Sequence, residues 1–170
     1  MKKILLLSLL FLTGWAFTAQ AIDLDKENRD PEYVESIVKR SQKIVDKLGI
    51  NDAKVAEDVR NVIANRYFTL NDIYEVRDAK IKEIKESGLT GDAKNNALKA
   101  AEDAKDAALY RIHFAFPAEL SLFLNEEQIE GVKDGMTYGV LEITYKSHLD
   151  MIPSLKEDEK AQIYAWLKEA

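Results

Sequence analysis

The chain has 170 residues, with 24 Lys or Arg against 30 Asp or Glu, two histidines, no cysteine and a formal charge of -6. This composition excludes disulfides, thiol catalysis and a lipid-modified N-terminal cysteine, and its acidic balance argues against nucleic acid or an anionic membrane surface as a partner. The length suits one domain that buries a core without staples, and three prolines and seven glycines leave little material for linkers.

The N-terminus reads as an export signal. Lys2 and Lys3 give a positive start, and Ile4 to Phe17 is a 14-residue stretch broken only by Ser8, Thr13 and Gly14. Ala19-Gln20-Ala21 then supplies the small-x-small pattern of a signal-peptidase site. The apolar stretch is shorter than the roughly 20 residues that span a bilayer, and no stop-transfer charges follow it. Residues 1–21 are therefore expected to be a cleaved signal peptide, and 22–170 a single periplasmic or secreted domain with no stable membrane insertion. Losing Lys2 and Lys3 leaves 22 basic and 30 acidic side chains over 149 residues, a charge of -8.

Helix signals follow in chain order. Asp30-Pro31 is an N-cap with proline at the first helical position, and the stripe from Tyr33 through Ile37, Ile44 and Leu48 ends at Gly49, predicting a helix over about 31–48. Asn51 is the expected cap of a second, long helix over about 52–87, carrying Val55, Val59, Val62, Ile63, Tyr67 and Ile84 and closed by Ser87-Gly88. After a turn to Gly91, the small residues Ala97, Ala101, Ala104 and Ala108 recur at near-heptad spacing, which allows close helix approach. The second and third helices are expected to pair as an antiparallel hairpin.

Pro117 should end or kink the third helix near Ala115, with a short segment restarting over 118–124. Asn125 with Gln128 forms a capping box for a helix from 126 to about 133, which Asp134-Gly135 should break. Residues 138–145 mix strand formers (Val140, Ile143, Thr144) with a helical spacing of Leu141, Tyr145 and Leu149. Helix is favoured, because a lone strand would find no partner. Ser154 and Glu157 look like the capping box of a last helix with Ile163, Trp166 and Leu167. The fold class is thus all-α, a five- or six-helix bundle built on a long antiparallel hairpin.

Motifs of catalysis are scarce. His113 and His148 have no companion at metal-ligating spacing, so no metal site is expected. No serine sits in Gly-x-Ser-x-Gly, and Ser36-x-x-Lys39 lacks its companion motifs. His113 beside Arg111, Phe114 and Phe116 reads as a hydrogen-bonded core histidine near the Pro117 kink. No catalytic residue, cofactor or Gly-rich phosphate loop is assigned. The candidate ligand site is instead a C-terminal cluster of Asp134, Tyr138, Tyr145, His148, Asp150 and Trp166, where rings beside carboxylate and imidazole groups suit a sugar's C–H face and hydroxyls. The competing reading makes Tyr145, Tyr164 and Trp166 core residues with wet polar tips.

Four segments carry a family resemblance: Leu48 to Lys54, Asp134 to Leu141, Leu149 to Pro153 and Glu159 to Leu167. They resemble a secreted bacterial family of unknown function, numbered 3826 and associated with sugar binding. The resemblance implies a non-enzymatic carbohydrate-associated role beside polysaccharide-degrading systems. The family pattern continues past the tryptophan helix, so a C-terminally shortened member is expected. A second reading comes from Leu124-Asn125-Glu126-Glu127-Gln128 and the looser Leu155-Lys156-Glu157-Asp158-Glu159, which look like the Leu-Thr-x-x-Gln signature of helical periplasmic stress chaperones without its threonine. A third, a glycan-active enzyme with paired carboxylates, needs two acids in one cleft. Oligomeric state is not legible.

The export reading is checked by N-terminal sequencing of the protein recovered from outside the cytoplasm. Ile22 is the expected first residue, and Met1 retained in a membrane fraction contradicts it.

Overall fold

A computed structural model describes residues 21–169; most of the expected signal peptide lies outside the described residues. The described residues form seven helices and no strand: α1 Pro31–Val45, α2 Ala53–Glu86, α3 Gly91–His113, α4 Ala115–Leu120, α5 Glu126–Thr137, α6 Val140–Met151 and α7 Glu157–Glu169. The fold is the expected all-α bundle, and the ambiguous stretch after Tyr138 is helical.

Local chemistry accounts for most helix starts. The Asp30 carboxylate accepts from Tyr33 N–H, with Pro31 in the first turn. The cap of α2 is Asp52 rather than Asn51, its carboxylate accepting from Lys54 and Val55 N–H. Asn125 and Gln128 form the reciprocal capping box as expected. Gln128 also donates through Nε2 to Leu48 O at 2.9 Å, so the start of α5 is fastened to the chain leaving α1. The cap of α7 falls two residues later than its Ser154 motif suggests. Glu159 accepts from Lys156 N–H at 2.8 Å, the half of a capping box contributed by the third helical residue.

Two breaks differ from expectation. The chain bends at Phe114, and Pro117 becomes the third residue of α4, where its missing N–H would have no partner within the helix anyway. Asp134-Gly135 does not break α5, which runs on to Thr137. Gly131 and Gly135 lie one turn apart on the face toward α1, and a Cβ on Gly135 would sit 3.0 Å from both Cγ atoms of Ile44. The glycine is there for close approach, not for a turn.

Packing is organised along α2. Its 34 residues extend about 51 Å at 1.5 Å each, against about 22 Å for the 15 residues of α1. The main core joins Val59, Val62 and Ile63 of α2 to Ile44 and Val45 of α1, Leu120 at the end of α4 and Val132 of α5. Ile37, Ala64 and Phe68 form a second cluster further along α2. Beyond that point α2 continues with α3 as a two-helix arm. Arg77 beside Glu102 (3.0 Å) and Arg66 donating to Ile112 O (3.1 Å) give the antiparallel register. Of the alanine stripe, Ala101 is buried in the seam, whereas Ala104 is exposed and, with Ala108, lines an open groove of about 730 Å³ beside Ile73 and Val76.

The two glycines of α5 should respond differently to alanine. Ile44 is buried and stiff at its branched Cβ, so Gly135→Ala is expected to overpack by about 1–3 kcal/mol, outweighing the helix-propensity gain of about 1 kcal/mol. At Gly131 the near atom is the flexible end of Leu48, 3.0 Å away, so Gly131→Ala should be neutral or stabilising. Urea unfolding of both variants decides it, and equal effects would refute the close-approach account.

Candidate functional site

The corner between α5 and α6 is made by two successive residues in the left-handed region, Tyr138 at φ 58° and Gly139 at φ 72°. Asp134 O accepts from Tyr138 N–H and, at 3.0 Å, from Gly139 N–H. The second of these is the long hydrogen bond of a Schellman-type helix ending, a geometry in which the left-handed residue after the last helical turn is usually glycine. Here a tyrosine takes that place. Holding a non-glycine residue there costs about 1–2 kcal/mol, and such strain recurs at functional sites.

What the strain achieves is presentation of a ring. Tyr138 is 69% exposed. Arg40, from α1, lies over it with Cζ 5.9 Å from the ring centroid, and over the ring of Tyr67 at 5.5 Å. The guanidinium is thus held between two aromatic rings, within the range of cation–π attraction. Among the described residues it makes no ion pair. The Tyr67 hydroxyl is buried with no hydrogen-bond partner among the described residues, and burial raises its phenol above the ordinary range while Arg40 opposes the rise. The Asp134 carboxylate completes the corner, 3.8 Å from where a Cβ on Gly139 would stand.

The six sequence candidates do not all meet. Asp134 and Tyr138 share this corner. Tyr145 packs edge-on against Tyr164 of α7, centroids 5.0 Å apart, and Tyr164 Oη donates to Glu142 at 3.0 Å, which raises its phenol. His148, one turn from Tyr145, donates from Nδ1 to Thr144 O at 2.8 Å, so it is a helix-bound histidine on the same side of α6. Asp150 is two residues further on and falls on the opposite side of α6 by helical geometry. Trp166 likewise lies across α7 from Tyr164 and so points away from α6, 62% exposed. No residue of α6 or α7 is buried, so the reading of Tyr145, Tyr164 and Trp166 as core residues does not hold. Arg40 and Tyr67 were missed, because nothing in either local sequence marks a residue that acquires its role only when α1 and α2 pack against the end of α5.

Two concavities lie elsewhere. One is the alanine-lined groove on the arm. The other, about 460 Å³, is a polar cleft lined by Asn28, Asn71, Asp72, Glu75 and Tyr33 around Arg29. Arg29 is already committed: it holds Asp72 through two hydrogen bonds of 2.7 and 2.8 Å, touches Asp25, and lies 4.6 Å from the Phe68 ring centroid. Its donation holds the Asp72 carboxyl below the usual range. The cleft is built as a tether.

Among the described residues no group of three or more His, Asp or Glu is arranged to hold a metal ion, and no helix is long and apolar enough to cross a membrane. Fold and site together define an all-helical protein with an exposed aromatic–arginine corner and no constellation of catalytic groups assigned. The family model for proteins of unknown function DUF3826 matches residues 34–170, and the chain belongs to that family. No curated protein matches the chain.

If Tyr138 is held under strain, Tyr138→Gly should leave the fold intact and raise its stability, by up to about 1–2 kcal/mol as the left-handed penalty is relieved. Thermal and urea unfolding measure this directly. A loss of stability would mean that the ring's contact with Arg40 outweighs the strain.

Proposed function

We propose that this is an exported, non-catalytic carbohydrate-binding protein whose ligand meets the Tyr138 corner. The observation that carries the reading is the exposed, strained Tyr138 ring beside the unpaired Arg40 guanidinium. A sugar ring offers a C–H face and a rim of oxygens. With Arg40 over one face of the tyrosine, the other face is open to stack on the sugar. The guanidinium donors and the Asp134 carboxylate then address hydroxyl oxygens and hydroxyl protons respectively. Tyr145 and His148 are engaged with Tyr164 and Thr144, and the reading does not use them, Asp150 or Trp166.

A second reading, a client-binding helical protein, is favoured by one observation: α6 and α7 carry Val140, Ile143, Met151 and Trp166 exposed, with nothing buried, and Ile152 just after α6 is exposed too. An apolar client surface of that kind binds through area, not through one ring.

Calorimetry of the purified protein against neutral and uronate-containing oligosaccharides separates the two. Binding should weaken at least about tenfold in Tyr138→Gly and in Arg40→Gln, while Trp166→Ala changes it little. Retained binding in Tyr138→Gly, or suppression of aggregation of an unfolded protein with no glycan affinity, would refute the carbohydrate reading.

A further inference from the structure

The segment that leads into α1 is fastened to one face of α2 by a ladder of polar side chains. Ile22 N–H donates to Asp58 Oδ1 at 2.9 Å, and Asn61 Nδ2 donates to Ile22 O at 2.8 Å. Asn65 then takes both sides of the chain, donating to Asp23 O and accepting from Asp25 N–H, each at 2.8 Å. Positions 58, 61 and 65 recur at three and four residues, so they share one helix face, and Arg29 reaching Asp72 continues the row. The row fixes the register of the segment. It is the nitrogen of Ile22, and not of a neighbour, that meets Asp58, while the Ile22 side chain packs against the main core.

Asp58 is a costly residue to place there. It is 4% exposed, and among the described residues its carboxylate has one donor, that backbone N–H, and no Lys or Arg partner. A buried carboxylate facing one neutral amide keeps most of its desolvation penalty, which a cation at the same point would offset. The residue that supplies the amide is the one immediately after the expected cleavage point.

We propose that hydrolysis of the Ala21–Ile22 peptide bond turns this contact into a buried ion pair, so that leader removal completes the fold. The C–N bond breaks and water supplies hydroxyl to the Ala21 carbonyl carbon. The released amine, with an ordinary pKa near about 8, takes the proton that the new carboxyl group gives up. The products are an Ala21 carboxylate on the leader and an Ile22 ammonium already in register with Asp58. Water is the one co-reactant, and the catalyst is the leader peptidase that the export reading entails, on which this inference rests. The uncleaved precursor retains an uncompensated buried carboxylate and is the less stable form, which suits a chain that must stay loose until it has crossed the membrane.

The test is a cycle on protein prepared to begin at Ile22, with the terminus free or acetylated, in the wild-type and Asp58→Asn backgrounds. Acetylation preserves an N–H donor and removes the charge. With Asp58 present it should lower the folding equilibrium constant by about tenfold or more, and in the Asp58→Asn background it should have little effect. An equal effect in both backgrounds, or none with Asp58, overturns the pairing. Should Asp58→Asn fail to fold, a third wild-type form extended by Ala21 replaces it. The acetylated and extended forms must then agree with each other and differ from the free form, and an extended form as stable as the free one overturns the proposal. Sequencing of exported material tests the export reading separately, because the cycle uses defined termini whatever the cell produces.

Discussion

Val59, Val62 and Ile63 on one side of α2 and Phe68 on the other are in contact with almost everything else that is buried. Those four side chains have essentially no exposure, and the helices around them are too short to be stable alone: six residues in α4 and twelve in α5, below the length at which an isolated helix holds in water. α4 is helical because its apolar edge closes onto α2, and α5 because its own closes onto α1 and joins the same core. The rest of α2 then follows as a matter of periodicity. With the apolar face turned toward α1, α4 and α5, the polar row of Asp58, Asn61 and Asn65 is turned toward the entering chain, and the far half of the helix is left to α3 alone.

That division explains what the sequence discloses and what it conceals. Helix starts are local events, so Asp30-Pro31 and Asn125 with Gln128 can be read from four residues, and the long apolar stripe of α2 from its period. Gly135 cannot be read that way. Its sequence neighbourhood, Asp-Gly, has the look of a turn, and its actual reason is the position of Ile44 on another helix. The same holds for Asn51 against Asp52, where two capping residues stand side by side and it is the Asp52 carboxylate that accepts from the first-turn N–H groups. Pro117 is intermediate: its effect on an ongoing helix is legible, but the break at Phe114 shifts it into a first turn where it is harmless.

The candidate site divides along the same line. Tyr138 stood out in the sequence as part of an aromatic-rich end, yet the features that give it a chemical character come from elsewhere in the chain. Arg40 contributes the charge and Tyr67 the second ring, and both are brought up by the contact of α1 and α2 with the end of α5. Periodicity separates the remaining candidates, because residues two apart on a helix cannot share a face. His148 and Asp150 are such a pair, as are Tyr164 and Trp166. Clustering in sequence was a reliable sign of an unburied region and a poor sign of a shared surface.

Energetic reasoning then distinguishes the Tyr138 corner from ordinary surface. The glycine best suited to the left-handed position is present, one residue too late, and Gly139 adopts the same left-handed region itself. The turn therefore does not lack conformational freedom; it could close at lower cost with glycine at both positions. Nor is the ring needed to fill space, since it is mostly in solvent. A residue that costs about 1–2 kcal/mol in backbone strain and buries little has no folding rationale at that position. Its contact with Arg40, worth about 0.5–1 kcal/mol when exposed, does not cover the difference. The proposed carbohydrate contact would supply the missing rationale, with the ring and the guanidinium held in place for a ligand.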